Sequence, residues 1–309
     1  MILICDLGLS LKRQFIISKK IADKSDFVAD NSLTTTMGEG YDMARILLSF
    51  GETHSLLGFS GASVGVDIQN SLSDNLPNLN LIPIREKSSE QIFIDFSDKK
   101  IKIRDKQPKI TRDEVMKFYS EYKEGLNLYK LICLVGEHPL NIPDDMLYNI
   151  VDLSTKWGRK LLLGVKDESF ENAIDAVPYV LMLNKSILEN ITNLSLDFEN
   201  EIIKACRYLF DIGIKHIIID NNENGLIVLN EKYGYRLSVP FEHRNKGLSY
   251  GGALGGFALS INRNYEMETL CKLSYACGLA NFEYLDIELE ASDIKALMKT
   301  IELTKFNNI

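Results

Sequence analysis

The sequence predicts an α/β protein: one three-layer α/β/α domain over residues 1–309, with a mostly parallel central sheet and a small β-sheet lid. Three observations lead there. Short β-branched runs alternate with longer segments of helical period over most of the chain, the pattern of a parallel sheet covered by helices on both faces. The 309 residues are 45% hydrophobic, enough to bury a large core in one big domain or two smaller ones. No internal repeat, low-complexity tract or long linker divides them, which argues against two independent domains.

In chain order, buried-type strands are predicted at Ile2 to Cys5, Leu131 to Val135, Leu161 to Leu163, Val180 to Leu183 and Ile214 to Ile219. Helices are predicted between them. Asp42 to Ser49 carries Met43, Ile46, Leu47 and then Phe50 on one face and stops at Gly51. Arg112 to Glu124, Asp144 to Trp157, Asn200 to Asp211 and Glu266 to Ala280 repeat that period. Two stretches, residues 12–36 and 78–104, break the alternation. They contain Phe15-Ile16-Ile17, Leu79 to Ile84, Gln91 to Phe96 and Lys100 to Ile103, with Asp98-Lys99 as a hairpin turn between the last two. These two insertions are expected to meet as the small lid sheet, whose edges and half-apolar face need a cover. A second copy of the chain is the expected cover, giving a homodimer through the lid.

Composition excludes several partners. Lys and Arg number 35 against 43 Asp and Glu, a net charge of −8, which leaves no electrostatic footprint for nucleic acid. The longest apolar stretches, such as Leu161 to Leu163 and Gly251 to Ile261, fall far short of the ~20 residues that cross a bilayer. The opening residues, Met1 to Asp6, carry no basic segment ahead of an apolar one, so no export signal and a cytoplasmic location are expected. Cys5, Cys133, Cys206, Cys271 and Cys277 lie in apolar surroundings without a CxxC pair and read as reduced core residues. The histidines His54, His138, His216 and His243 are dispersed, so no metal site is expected.

Four stretches resemble the ribokinase/PfkB carbohydrate kinase family, in its 1-phosphofructokinase and tagatose-6-phosphate kinase branch. The N-terminal strand is similar to the family's opening strand. Gly38-Glu39-Gly40-Tyr41-Asp42-Met43-Ala44-Arg45, followed by Leu48 and Gly51, resembles Gly-Gly-Lys-Gly-x-Asn with its trailing helix and Leu-Gly. Gly136-Glu137-His138-Pro139-Leu140-Asn141-Ile142-Pro143 resembles the turn Gly-Ser-Leu-Pro-x-Gly-x-Pro. Pro240 to Phe257 aligns without gaps on Asn-Thr-Val-Gly-Ala-Gly-Asp-Ser-x-x-Ala-Gly-Phe, through Asn245 and Gly256-Phe257. The resemblance implies a ribokinase-like fold and ATP- and Mg-dependent phosphoryl transfer to a phosphosugar such as fructose 1-phosphate or tagatose 6-phosphate. A small-molecule ligand, phosphosugar or nucleotide, follows as the expected partner.

Within each motif the glycines and prolines persist while charged members change. The family's catalytic Asp, at the start of a helix whose backbone N–H groups hold the transferring phosphoryl group, corresponds to Gly251; Leu248-Ser249-Tyr250 replace the preceding Gly-Ala-Gly. No Asp or Glu lies between Glu242 and Glu266, so no small shift of register supplies a base, a loss typically worth about 10²- to 10⁴-fold in rate. Gly251 and Gly252 could still offer N–H groups to an anion. Equally, Gly251, Gly252, Gly255 and Gly256 could serve only to pack this helix closely on the sheet.

The implied sugar pocket comprises Gly8, Lys12, Gly38, Glu39, Gly40, Asp42 and Glu137. Glu39 stands for the motif's Lys, Asp42 for its Asn and Glu137 for the Ser of the turn; Gly8 and Lys12 stand for the opening segment's Asn and Asp. Three acids there would repel a phosphorylated sugar unless Lys12, Arg104 or a bound cation compensates. Taken singly, each is as well explained as a solvated surface charge. On the nucleotide side, Asn184 remains of a Lys-Pro-Asn motif, while the acidic residue three positions on is Ile187. Asp220 to Gly225 stands for a Ser-x-Gly-x-x-Gly loop with only Gly225 kept, and Gly164 stands where the branch often has an Asp.

Two functional classes compete: a kinase that is slow or uses a displaced base, and a non-catalytic, pseudokinase-like ligand-binding or regulatory protein. An absent base is harder to replace than a weakened contact, which favours the second. Glu39 and Asp42 are the only candidates for another base near the implied sugar site, and both lie on the wrong motif. An unrelated α/β enzyme would need a nucleophile or metal cluster, and the sequence displays neither.

Overall fold

A computed structural model describes residues 1–21, 26–73, 76, 78–167, 170–240, 247–283 and 289–307. Its central sheet has ten strands: β1 (Ile2–Asp6), β4 (His54–Gly61), β5 (Leu79–Ile84), β8 (Leu131–Val135), β9 (Lys160–Gly164), β10 (Val180–Asn184), β11 (His216–Asp220), β12 (Leu226–Asn230), β13 (Tyr233–Ser238) and β14 (Glu302–Asn307), in the order β14-β13-β12-β11-β10-β9-β8-β1-β4-β5. From β5 to β11 all neighbours are parallel, and β12, β13 and β14 add antiparallel strands at one side. The five buried strands expected from sequence therefore form, with β4 and β5, the parallel part of the sheet. Their side chains alternate between two cores, one on each face, which is why they read as continuous apolar runs.

On one face, Ile2, Ile4, Cys133 and Met182 pack with α1 (Glu39–Ser49), α2 (Ala62–Ser73), α8 (Tyr250–Asn262), α9 (Met267–Glu283) and α10 (Ala291–Thr300). On the other, Leu3, Cys5, Leu134 and Leu183 pack with α3 (Arg112–Leu128), α4 (Asp144–Lys156), α5 (Glu171–Ile174), α6 (Lys185–Thr192) and α7 (Glu199–Asp211). The expected helices form with boundaries extended by up to a turn; α3 gains its start from a capping box in which Thr111 and Glu114 each satisfy the other's backbone N–H. All five cysteines are buried and free.

A separate four-stranded sheet consists of β2 (Ser10–Ile17), β3 (Asn31–Met37), β6 (Glu90–Phe96) and β7 (Lys100–Arg104), in the order β3-β2-β6-β7. The turn at Asp98-Lys99 joins β6 and β7, with Phe96 N–H donating to the Lys99 carbonyl at 2.8 Å. Part of the first insertion, residues 22–25, lies outside the described residues. One expectation fails: Leu79 to Ile84 does not join the small sheet but is β5, paired parallel with β4 at the edge of the central sheet. Ile82 and Ile84 enter the core beside Phe59 and Phe118, while Pro83, which has no N–H to donate, is tolerated on an edge strand. Half-buried alternation is common to both sheets and does not identify which one a strand joins.

The glycines of α8 also differ from expectation, since they face helices rather than the sheet. A Cβ at Gly252 would lie 2.6 Å from the Cys277 carbonyl of α9, and one at Gly256 would lie 2.8 Å from the Leu273 carbonyl. Gly255 faces the Met43 side chain of α1, whose Cγ would be 3.1 Å away. Gly256→Ala is therefore expected to cost about 1–3 kcal/mol in urea unfolding, because backbone must move, and Gly255→Ala appreciably less, because Met43 can yield. Equal losses would contradict this account of the helix contact.

Candidate functional site

The site lies at the carboxyl ends of the parallel strands, where loops diverge and helix N-termini point inward, the usual ligand position in such sheets. Its organiser is Asp6, the last residue of β1, which is fully buried. Its Oδ1 accepts from Gly8 N–H at 2.8 Å and its Oδ2 from Gly40 N–H at 2.7 Å, so one carboxyl ties the β1 loop to the first turn of α1. Burial pushes the Asp6 carboxyl up to about 7 against those stabilising N–H bonds. Sequence reasoning missed Asp6; its only signal was an acid closing an otherwise apolar strand.

The N-terminus of α8 meets that of α1 at the same place. A Cβ at residue 251 would lie 1.7 Å from the Glu39 carbonyl oxygen, so the position admits glycine alone without displacing α1. The Glu39 side chain turns onto α8, where its Oε2 accepts from Gly251 N–H at 2.5 Å. Ser249 caps the helix: its Oγ accepts from Gly252 N–H at 3.0 Å, and it lies 2.7 Å from Asp42 Oδ2 and 3.2 Å from Glu39 Oε2. Glu39 Oε1 pairs with Lys166, whose ammonium also stands 5.0 Å from the centre of the Tyr250 ring. The Asp42 carboxyl is pushed up to about 7, first by loss of solvent and then by the neighbouring Glu39 carboxylate.

These carboxylates form one side of a cavity of about 360 Å³, within the range of small-molecule sites. All seven implied sugar-pocket residues gather here, with Gly40 behind the wall on Asp6 and the other six lining the cavity. The opposite side is the small sheet. Lys12, Gln91 and Arg104 stand in one cross-strand row, with Phe93 and Lys102 in the next. The Lys12 and Lys102 ammoniums lie 5.4 Å and 4.8 Å from the centre of the Phe93 ring. Partial burial and the Arg104 charge lower the Lys102 ammonium from its ordinary value. Glu137 lies 3.7 Å from Arg104 and accepts from Gln107 at 2.6 Å.

Lys12 and Arg104, the cations named as able to compensate the three acids, both line the cavity. Arg45, Lys102 and Lys166 join Lys12 and Arg104, and two of the three acids, Glu39 and Glu137, already face cations. Glu39 belongs to the α1 motif, distant in sequence, yet its carboxylate stands at the start of α8. Sequence reasoning gave Arg45 no role although it closes the Gly38–Arg45 motif, and it missed Lys102 and Lys166, which carry no local motif.

The nucleotide-side positions scatter into structural roles. Asn184 caps α6 by accepting from Ile187 N–H at 2.8 Å. Gly225 closes a tight turn between β11 and β12 with φ of 92°, hydrogen-bonded to Asn221 and Asn222. Asp220 accepts from Asn222 N–H at 3.0 Å and from the Tyr250 hydroxyl, with its carboxyl raised by burial. Gly164 faces Leu254 of α8. A second cavity is lined by Asp220, Asn222, Glu223, Gly247, Leu248, Tyr275 and Leu279, so the described residues offer it two carboxylates and no Lys or Arg. Asn245 and His243 lie outside the described residues. Among the described residues no group of His, Cys, Asp and Glu could hold a metal ion, and no helix is long and apolar enough to cross a membrane.

No family model matches the chain. A 1-phosphofructokinase of Borreliella burgdorferi is 24% identical over 267 residues, covering 86% of each chain. The chain is similar to the phosphofructokinases over most of its length. Its fold is theirs as well: a "possible 1-phosphofructokinase" of Thermotoga maritima superposes with a TM-score of 0.85 at 16% identity over 99% of both chains. Escherichia coli phosphofructokinase-2, in complex with fructose 6-phosphate, gives 0.83 at 16% identity over 96% of this chain and 98% of its own. The ribokinase-like architecture and its small separate sheet are therefore as the sequence resemblance implied.

The buried acids predict how stability depends on pH. Asp42 holds its proton up to about 7 when folded, against 3.8 ordinarily. Between those values the folded chain binds more proton than the unfolded one, so this contribution falls as pH rises. His216, pushed down to about 4 by burial, acts in the opposite direction. The comparison that isolates Asp42 is with Asp42→Asn: the variant's stability relative to the parent should increase steadily from about pH 4 to about pH 7 in urea unfolding. A difference independent of pH would contradict the assignment.

Proposed function

We propose that the chain binds a phosphorylated sugar in the cavity between the small sheet and the helix ends, and that phosphoryl transfer by it is weak or lost. The observation that carries this is the Glu39 carboxylate on Gly251 N–H. The helix end that would stabilise a transferring phosphoryl group already holds an anion belonging to the chain. Lys12, Lys102 and Arg104 support a phosphate-bearing ligand, while Ser10, Thr35 and Gln91 beside them suit its hydroxyls.

The homologues imply ATP and magnesium in general, but the described residues do not fit a triphosphate. Asp220 and Glu223 face the second cavity, where a polyphosphate would meet like charge. No catalytic step is therefore derived through a nucleotide.

A second reading has one observation in its favour: the Glu39 carboxylate stands at the helix start where the resemblance puts the base, and it could act as a relocated base. Turnover separates the two. Fructose 1-phosphate or tagatose 6-phosphate should raise the melting temperature, and Lys102→Ala should weaken that ligand about tenfold or more, as expected for a charge-assisted hydrogen bond. ATP-dependent phosphorylation should be slower than the ~1–100 s⁻¹ of ordinary kinases, by about 10²- to 10⁴-fold. A rate in the ordinary range that Glu39→Gln abolishes would instead establish the relocated base. Gly251→Asp should restore nothing and lower stability, since its Cβ has no room beside Glu39.

Homodimerisation through the small sheet belongs to the same reading, since Ile16, Leu33 and Ile103 on that sheet are exposed. Sedimentation velocity should give a dimer that Ile103→Glu shifts towards monomer. A monomer at all concentrations would remove this part of the reading.

A further inference from the structure

The hydrogen bonds around Ser249 do not balance if both neighbouring acids are ionised. Ser249 has one hydroxyl proton and two lone pairs. One lone pair takes Gly252 N–H at 3.0 Å, and the proton goes to the nearer acid, Asp42 Oδ2 at 2.7 Å. Glu39 Oε2, at 3.2 Å, then faces the remaining lone pair, an acceptor against an acceptor. A proton on Asp42 removes the conflict: Asp42 then donates to Ser249 Oγ, and the serine proton turns to Glu39 Oε2. Burial acts in the same direction, since Asp42 is pushed up to about 7.

The surrounding charges bear on the same pair. From its own helix Arg45 faces Asp42, and from the end of β1 the Asp6 carboxyl faces Glu39. Lys166 pairs with Glu39, and Tyr250 stands beside it with Asp220 behind. Across the cavity are Lys12, Lys102, Arg104 and Glu137. Glu39 and Asp42 both line the cavity, so an anion held by the small-sheet cations adds negative potential to theirs.

We propose that the cavity couples binding of an anionic ligand to uptake of a proton by Asp42, so that the ligand is held more tightly on the acid side of neutrality. The proposal rests on the reading of the cavity as an anion site. It adds a regulatory property to that site: a fall in pH loads the cavity and a rise empties it. By linkage, affinity falls by at most tenfold per pH unit while one proton is exchanged.

The test is calorimetry with glucose 6-sulfate, whose ester group does not titrate near neutrality, in buffers of differing ionisation enthalpy at one pH. The unaltered chain should take up about half a proton per ligand near pH 7, rising towards one near pH 8, with affinity falling roughly three- to tenfold per pH unit over that range. Uptake should be lost in Asp42→Asn. Binding without proton uptake overturns the proposal and leaves the cavity reading standing. Uptake that survives Asp42→Asn and vanishes in Lys102→Met assigns the proton to the lysine, which also overturns it. Absence of binding from about pH 5.5 to 8.5 removes the cavity reading and the proposal together.

Discussion

Two helix N-termini converge on one point of this molecule, and their compensation is the constraint on which the site depends. Each helix start carries partial positive charge, equivalent to about half an elementary charge, and N–H groups without intrahelical partners. Brought together, α1 and α8 would repel and leave donors unpaired. Asp6 answers the first by accepting from Gly40 N–H, and Glu39 answers the second by accepting from Gly251 N–H. The close approach that makes the second contact also explains the glycine, because the Glu39 carbonyl occupies the volume a Cβ at residue 251 would need. The side chain of Glu39 and the missing side chain at Gly251 are two sides of one packing solution.

The sheet was legible in the sequence where strands are buried on both faces. β1, β8, β9, β10 and β11 announce themselves as unbroken apolar runs because each side chain has a core to enter. β5 was assigned to the wrong sheet because an edge strand, with Leu79 and Leu81 half-buried and Pro83 exposed, carries the same alternation as a strand of the small sheet. Strand pattern reports burial, whereas partner choice is settled by contacts between distant segments.

The candidate site was legible in its glycines and opaque in its charges. Gly8, Gly38 and Gly40 hold the loop-and-helix geometry that the resemblance implied, around an Asp6 that sequence reading passed over. The cations that set the cavity's electrostatics come from β2, β7, α1 and the exit of β9, far apart in the chain, and of these only Arg45 of α1 belongs to a quoted motif. Glu39 is the sharpest case. It looked like a charge reversal inside a sugar motif, yet its partner Gly251 lies 212 positions away, and only the fold reveals that the acid serves a helix end.

Acids counted along a motif are not a measure of the field a ligand meets. Glu39 is held between Lys166 and the start of α8, and Glu137 between Arg104 and Gln107; both are internal counter-charges. What faces the cavity from the small sheet is Lys12 and Lys102, both over the Phe93 ring, with Arg104 paired to Gln91 beside them. The cations of the small sheet and the helix end occupied by Glu39 are different walls of the same space, so on the proposed reading binding of an anion and transfer of a phosphoryl group depend on different residues and are separable by substitution.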